Sequence, residues 1–134
     1  MKSVIFVVGA VFVASFFLPV IDAAPLAEVK GHDAAELVFD ILRNANRSDV
    51  PKHDKDFLEI LLLNLANPLF VVGAILLLAG ANKPGALCAT GASVSALWWL
   101  GSGDLVKELM IGYWAWAGAC VLLAIVGWMA AANE

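Results

Sequence analysis

The sequence predicts an all-α integral membrane protein, built as an antiparallel bundle of four transmembrane helices. Hydrophobic residues make up 62% of the 134 residues and charged residues only 15%, and the mean hydropathy is +0.87. Long apolar stretches cover residues 4–21, 58–81, 84–100 and 105–132. Stretches of about 17 to 25 residues match the roughly 30 Å hydrocarbon core of a bilayer at 1.5 Å per helical residue. The polar segment 22–57 is too short for a second globular unit, so residues 1–134 form one membrane domain.

The first stretch, 4–21, follows Lys2 and contains Pro19 in its last turn, where a missing backbone hydrogen bond is tolerated. A basic residue, an apolar run and Asp22-Ala-Ala24 also occur in this order in secretory signals. The run before Asp22 is long enough to cross a bilayer. We therefore expect an anchor that is not cleaved.

Segment 22–57 contains the capping-box pattern Asp33-Ala-Ala-Glu36, which predicts a short helix through about Asn44. Apolar residues fall on one face of this helix and polar residues on the other, which is the pattern of an amphipathic helix. Its polar face is rich in acidic residues, which disfavours binding to anionic lipid surfaces. We expect the amphipathic helix to cap the bundle.

The second stretch, 58–81, contains an intramembrane polar pair and a predicted kink. Pro68 lacks an N–H, and its ring displaces the carbonyl of Asn64 four residues earlier. The side chains of Asn64 and Asn67 lie three residues apart on nearly one helix face. Their amides can meet the freed carbonyl or bond to a neighbouring helix, as polar groups in hydrocarbon must.

The third stretch, 84–100, follows a predicted tight turn at 82–85 and is crowded with small residues. Small side chains let helix backbones approach closely within a membrane. This pattern places the third helix at the centre of the bundle or against another subunit. The expected helix-packing residues are Gly85, Ala89, Ala92, Ser93 and Ala96.

The aromatic residues predict interfacial belts at the two membrane surfaces. Tryptophan is enriched where the hydrocarbon meets the headgroups. This position explains the tryptophans better than a role in bordering a pigment or quinone. The expected interfacial anchors are Trp98, Trp99, Trp114, Trp116 and Trp128.

An even number of crossings places both termini on one side of the membrane. A count of Lys and Arg alone would put segment 22–57 in the cytoplasm. However, Lys2 precedes the first apolar run, and the polar segment carries eight acidic residues against five basic ones. We therefore expect a bacterial cytoplasmic (inner) membrane location, with both termini cytoplasmic and segment 22–57 outside.

Residues able to carry chemistry are concentrated outside the apolar stretches. The metal-ligand types of segment 22–57 show no recognised metal-binding spacing; they are Asp49, His53, Asp54 and Asp56, with His32 and Asp33 earlier in the segment. Glu59 fits a helix cap at the start of the second stretch. No Asp, Glu, Lys, Arg or His lies within 60–81, 84–103 or 110–133, whereas proton relays and intramembrane hydrolases need such groups at depth. The sequence predicts no catalytic residue, no metal site and no cofactor.

These features indicate a non-catalytic subunit or scaffold that acts through helix packing and its acidic extramembrane segment. Two alternatives stay open: a component of a small-solute transporter or channel, lined by the polar region of the second helix, and an immunity or inhibitor protein that binds a membrane-active partner. The expected partners are the lipid bilayer and other membrane subunits or further copies of the chain. The net charge of −4 disfavours nucleic acid.

Overall fold

The computed structural model describes residues 2–22, 28–30, 32, 36, 54–98, 100 and 111–133, with the backbone alone at 19–22, 28–30 and 54–64. Most of these residues are helical. The helices are α1 (Lys2–Ser15), α2 (Asp54–Leu78), α3 (Asn82–Trp98) and α4 (Ile111–Ala131). Two short strands, β1 (Pro19–Asp22) and β2 (Glu28–Lys30), follow α1. The predicted amphipathic helix, apart from Glu36, lies outside the described residues.

Helix α1 ends earlier than the 4–21 boundaries predict. The Ser15 hydroxyl donates to the Phe12 carbonyl at 2.6 Å, and the next three backbone N–H groups each bond to a carbonyl three residues back. The chain thus tightens into 3₁₀-type turns. Pro19 then has no N–H to donate and disfavours helical geometry at the residue before it, so the backbone becomes extended.

The extended backbone after α1 forms a small antiparallel pair that the sequence does not predict. Ile21 of β1 pairs with Val29 of β2, and the register shifts between Pro19 and Ile21. Just beyond β2, the backbone N–H of His32 donates to the Phe16 carbonyl at 2.9 Å, and its ring Nδ1 lies 3.2 Å from the same oxygen. The start of the polar segment is therefore tied back to the end of α1.

The turn between α2 and α3 lies at residues 79–81, earlier than the predicted 82–85. Gly80 has a φ of +86°, a left-handed conformation that glycine adopts without steric cost. The Ala81 N–H donates to the Leu76 carbonyl at 2.9 Å, and the Gly80 N–H donates to the Leu77 carbonyl at 3.2 Å. These two bonds form a Schellman cap. Helix α2 is therefore closed at its end, and α3 already begins at Asn82.

Helix α3 lies between α2 and α4 and makes its most extensive contacts with these two helices. Helix α1 packs mainly on α4 and meets α2 where the rings of Phe12 and Phe70 stack, with centroids 3.8 Å apart. The short α2–α3 turn makes these two helices antiparallel. The start of α1, the α2–α3 turn and the end of α4 therefore share one end of the bundle, which we call the terminal end.

The outer surface of the bundle is strongly apolar. Among the described side chains, twenty large hydrophobic ones are exposed, and they occur on all four helices. The most fully buried side chains, in contrast, include many alanines. Examples of the exposed set, each 50–67% exposed, are Phe6, Val13, Ile75, Leu87, Val94, Ile125 and Met129.

Helix α4 is the one described helix that is both long and apolar enough to cross a bilayer by itself. A buried helix of a soluble protein can have the same length and composition. Helix α1 and the 65–78 part of α2 are shorter apolar helices. Length and composition thus identify one candidate membrane helix among the described residues.

Candidate functional site

Small residues let α3 approach α4 closely. A Cβ added to Gly127 of α4 would lie 2.9 Å from the Ala86 Cα and 3.1 Å from its Cβ, which leaves no space for a side chain. Three further alanines of α3, namely Ala89, Ala92 and Ala96, have no exposed surface. The α3–α4 contact therefore depends on the absence of side-chain volume at this crossing.

The contact between α2 and α3 is equally close. A Cβ on Gly85 would lie 2.8 Å from the Leu77 Cγ and 3.1 Å from its backbone nitrogen. On the opposite helix, a Cβ on Gly73 would lie 3.1 Å from the Ala89 backbone nitrogen and 3.2 Å from the Gly85 oxygen. Backbone atoms at such distances cannot be displaced by a side-chain rotation. Helix α3 is thus held tightly on both sides.

Polar side chains link α3 to α4 at three levels. The Tyr113 hydroxyl donates to the Ala96 carbonyl at 2.6 Å. The Ser93 hydroxyl lies 2.9 Å from both the Ala89 and the Cys120 carbonyl oxygens. Near the terminal end, the Trp128 indole donates to the Thr90 hydroxyl oxygen at 2.9 Å. Such bonds satisfy polar groups in an apolar surrounding and set the register of the two helices.

One side-chain pair links α2 directly to α4. The Trp116 indole N–H donates to the Asn67 side-chain oxygen at 2.8 Å, and the pair is partly buried. Pro68 follows Asn67 within α2, and the helix continues past it to Leu78. The Asn64 side chain lies outside the described residues. Of the predicted polar pair of α2, the structure describes the Asn67 side chain, whose oxygen accepts a hydrogen bond from a residue of α4.

The described tryptophans differ in exposure and in the partners of their indole N–H groups. The rings of Trp98, Trp114 and Trp128 are about half exposed, at 51%, 49% and 48%. Trp116 is less exposed, and its indole donates to Asn67 of α2, whereas the exposed Trp128 indole donates to Thr90 of α3. The orientation of α4 about its own axis decides which way each ring points. This direction cannot be predicted from the position of a tryptophan near the end of an apolar run. Trp99 lies outside the described residues.

The predicted helix-packing residues of α3 all lie in its buried face. The structure adds residues that the sequence analysis did not single out, namely Gly73 and Gly127, which oppose Gly85 and Ala86. Among the described residues no group of three or more His, Cys, Asp or Glu side chains is placed to hold a metal ion. Cys88 and Cys120 are free thiols. The side chains of the metal-ligand types at 49–56 lie outside the described residues.

The Asn67–Trp116 bond predicts a measurable coupling between α2 and α4. Asn67→Leu and Trp116→Phe each remove one partner of the bond. We expect the double variant to lose less free energy of unfolding than the sum of the losses in the two single variants. Double-mutant cycles of such bonds in membrane helices give about 0.6 kcal/mol on average and up to about 1.7 kcal/mol. The measurement is unfolding in mixed micelles of the single and double variants. A coupling of zero would show that the bond adds nothing to the bundle.

Comparison with protein-family models, with curated proteins and with solved structures found no match for this chain. Its function must therefore be inferred from its own residues. The feature to be explained is a central helix, α3, with a small-residue buried face and hydrogen bonds to its neighbour, in a bundle whose described outer surface carries many large hydrophobic side chains.

Proposed function

We propose that the chain is a multi-pass membrane protein that serves as a non-catalytic subunit or scaffold of a membrane complex. The observation that carries this proposal is the distribution of side-chain size. Every buried residue of the central helix α3 is an alanine, a glycine or a serine, and twenty of the described large hydrophobic side chains are exposed. Lipid tails are as apolar as leucine, so membrane helices associate through close backbone packing rather than through burial of large side chains.

The exposed hydrophobic surface supports a lipid surrounding for all four helices. Full burial of one Val, Leu, Ile, Phe or Met side chain stabilises a protein in water by about 1.5 to 3 kcal/mol. A water-soluble bundle would place such residues inside, whereas Phe6, Ile75, Val94 and Ile125 on four different helices are at least half exposed. In hydrocarbon this exposure costs little. The short helices α1 and α3 then cross with the help of their flanking turns and a locally thinner bilayer.

The polar groups inside the bundle support a structural role. The Tyr113 and Ser93 hydroxyls donate to backbone carbonyls of the neighbouring helix, and the Asn67 oxygen is occupied by an indole N–H. A solute path would need polar groups that face a water-filled space. The bonding of Asn67 instead favours the subunit or scaffold role over the transport alternative.

We assign the contacts with a partner to the acidic segment 22–57. Segment 22–57 is net acidic, and the structure ties its start to the end of α1 through His32. With the terminal end of the bundle in the cytoplasm, this segment emerges on the outer side of a bacterial cytoplasmic membrane. A basic face of another membrane subunit is the complementary partner.

Purification in mild detergent tests this function. We expect the full chain to elute in a complex of larger mass, with a co-purifying membrane protein identified by mass spectrometry. Reversal of acidic charge in Glu36→Lys with Asp40→Lys should release that partner, because both residues belong to the acidic segment. The matched control is Lys30→Gln, which removes a basic charge. A chain that purifies alone at monomer mass, from membranes where it is abundant, would contradict the proposal.

A further inference from the structure

A groove runs along the outside of the bundle between α1 and α2. The two helices touch near Phe12 and Phe70 and make few contacts elsewhere. The groove has a volume of about 570 Å³, its lining is almost wholly apolar, and it is open to the outside of the bundle. We call it the α1–α2 groove. It is lined chiefly by Ile5, Phe6, Gly9 and Val13 of α1 and by Ala74 and Leu78 of α2.

Gly9 lines the α1–α2 groove without a side chain. Glycine lowers the stability of a helix relative to alanine, so a glycine within a helix calls for a packing reason. Gly73, Gly85 and Gly127 have one, because a Cβ on each would meet a neighbouring helix within 3.1 Å. A Cβ on Gly9 would have no atom within 4 Å. Gly118 is equally open, so the free space at Gly9 matters only because Gly9 lines the groove.

The described charged residues at the terminal end of the bundle are both basic. Lys2 precedes Ile5, Phe6 and Gly9 by three, four and seven residues, so it lies on the groove face of α1, one turn beyond the groove. Lys83 is exposed at the start of α3, beside the α2–α3 turn. Both belong to the terminal end, where no described residue is acidic. Glu134 follows outside the described residues.

We propose that the α1–α2 groove binds an acyl chain of an anionic phospholipid whose phosphate lies between Lys2 and Lys83. The apolar groove matches a hydrocarbon tail, and the ammonium groups of Lys2 and Lys83 at the terminal end match a phosphate at the membrane surface. An acyl chain alone would not account for the lysines, and neither would an apolar partner helix. This inference rests on the proposed membrane location and adds a lipid partner to it.

Native mass spectrometry of the full chain tests this site, with phosphatidylglycerol and phosphatidylcholine of identical acyl chains present at equal concentration. We expect phosphatidylglycerol to be retained preferentially. Because a basic residue at the membrane surface contributes on the order of 1 kcal/mol, Lys2→Gln and Lys83→Gln should each lower this preference by about fivefold. Gly9→Leu should fill the groove and reduce retention of both lipids, while Gly118→Ala should leave both unchanged.

Three results would overturn the lipid site. One is equal retention of the two lipids, the second is an unchanged preference in both lysine variants, and the third is a dimer that Gly9→Leu abolishes, which would assign the groove to a second copy. Flotation with vesicles separates this test from the proposed function. A chain that floats with the vesicles but shows no lipid preference loses only the lipid site, whereas a chain that does not float loses the membrane location as well.

Discussion

Substitution of Gly127 by alanine is expected to destabilise the bundle by about 1–3 kcal/mol, the usual effect of adding volume to a closely packed contact. The added methyl would lie 2.9 Å from the Ala86 Cα, so the backbones of α3 and α4 would have to separate. Separation would also lengthen the Trp128–Thr90 hydrogen bond one level away. The measurement is the free energy of unfolding in mixed micelles.

Gly118→Ala is the matched control for this substitution, since it makes the same chemical change in the same helix. A Cβ on Gly118 has no atom within 4 Å, so the control should be neutral or stabilising by up to about 1 kcal/mol through its higher helix propensity. Equal effects of the two substitutions would mean that close packing at Gly127 does not hold α3 and α4 together.

Phe12→Ala is expected to destabilise the docking of α1 by about 2 kcal/mol. In a water-soluble core a Phe→Ala change costs about 3–5 kcal/mol, of which the cavity accounts for about 24 cal/mol per Å³. In a bilayer the transfer contribution is absent, because lipid is as apolar as the core. A cavity on the order of 100 Å³ then leaves about 2 kcal/mol. Phe12 is 6% exposed and stacks on Phe70, so its removal opens such a cavity.

Phe6→Ala provides the comparison for Phe12→Ala. Phe6 lies on the same helix and is 67% exposed, so we expect its truncation to change the free energy of unfolding by less than about 0.5 kcal/mol. Unfolding in mixed micelles, followed by the accessibility of α1 to a protease, measures both. If the two variants lost equal stability, α1 would not be docked through the Phe12–Phe70 stack.

Hydropathy alone locates the helices well but not their ends. The four apolar runs contain the cores of α1, α2, α3 and α4. The end of α1 at Ser15 depends instead on a side-chain bond to Phe12 and on pairing with residues of β2, which are distant in sequence. The α2–α3 turn depends on one left-handed glycine, Gly80, whereas Asn82 and Pro84 suggest a later turn.

The packing of the bundle was predictable for α3 and less so for its neighbours. Small residues recur at helical spacing through α3, and this spacing indicates a face that packs closely. Single glycines do not carry such a signal. In sequence, Gly127 and Gly118 are both isolated glycines in an apolar run, yet one opposes a backbone and the other opposes open space. Trp116 likewise resembles Trp114, and only the rotation of α4 directs its indole at Asn67.

Spin labels on the outer surface of the bundle test its membrane location most directly. Single cysteines at Ile75, Val94 and Ile125, in a chain with Cys88 and Cys120 replaced by alanine, would carry the labels in reconstituted vesicles. Power saturation then compares collisions with oxygen, which concentrates in hydrocarbon, and with a water-soluble nickel chelate. Ala89 is the buried control and Lys83 the aqueous control. We predict high oxygen and low nickel accessibility at all three outer positions, whereas high nickel accessibility there would show that this apolar surface faces water and contradict the multi-pass bundle.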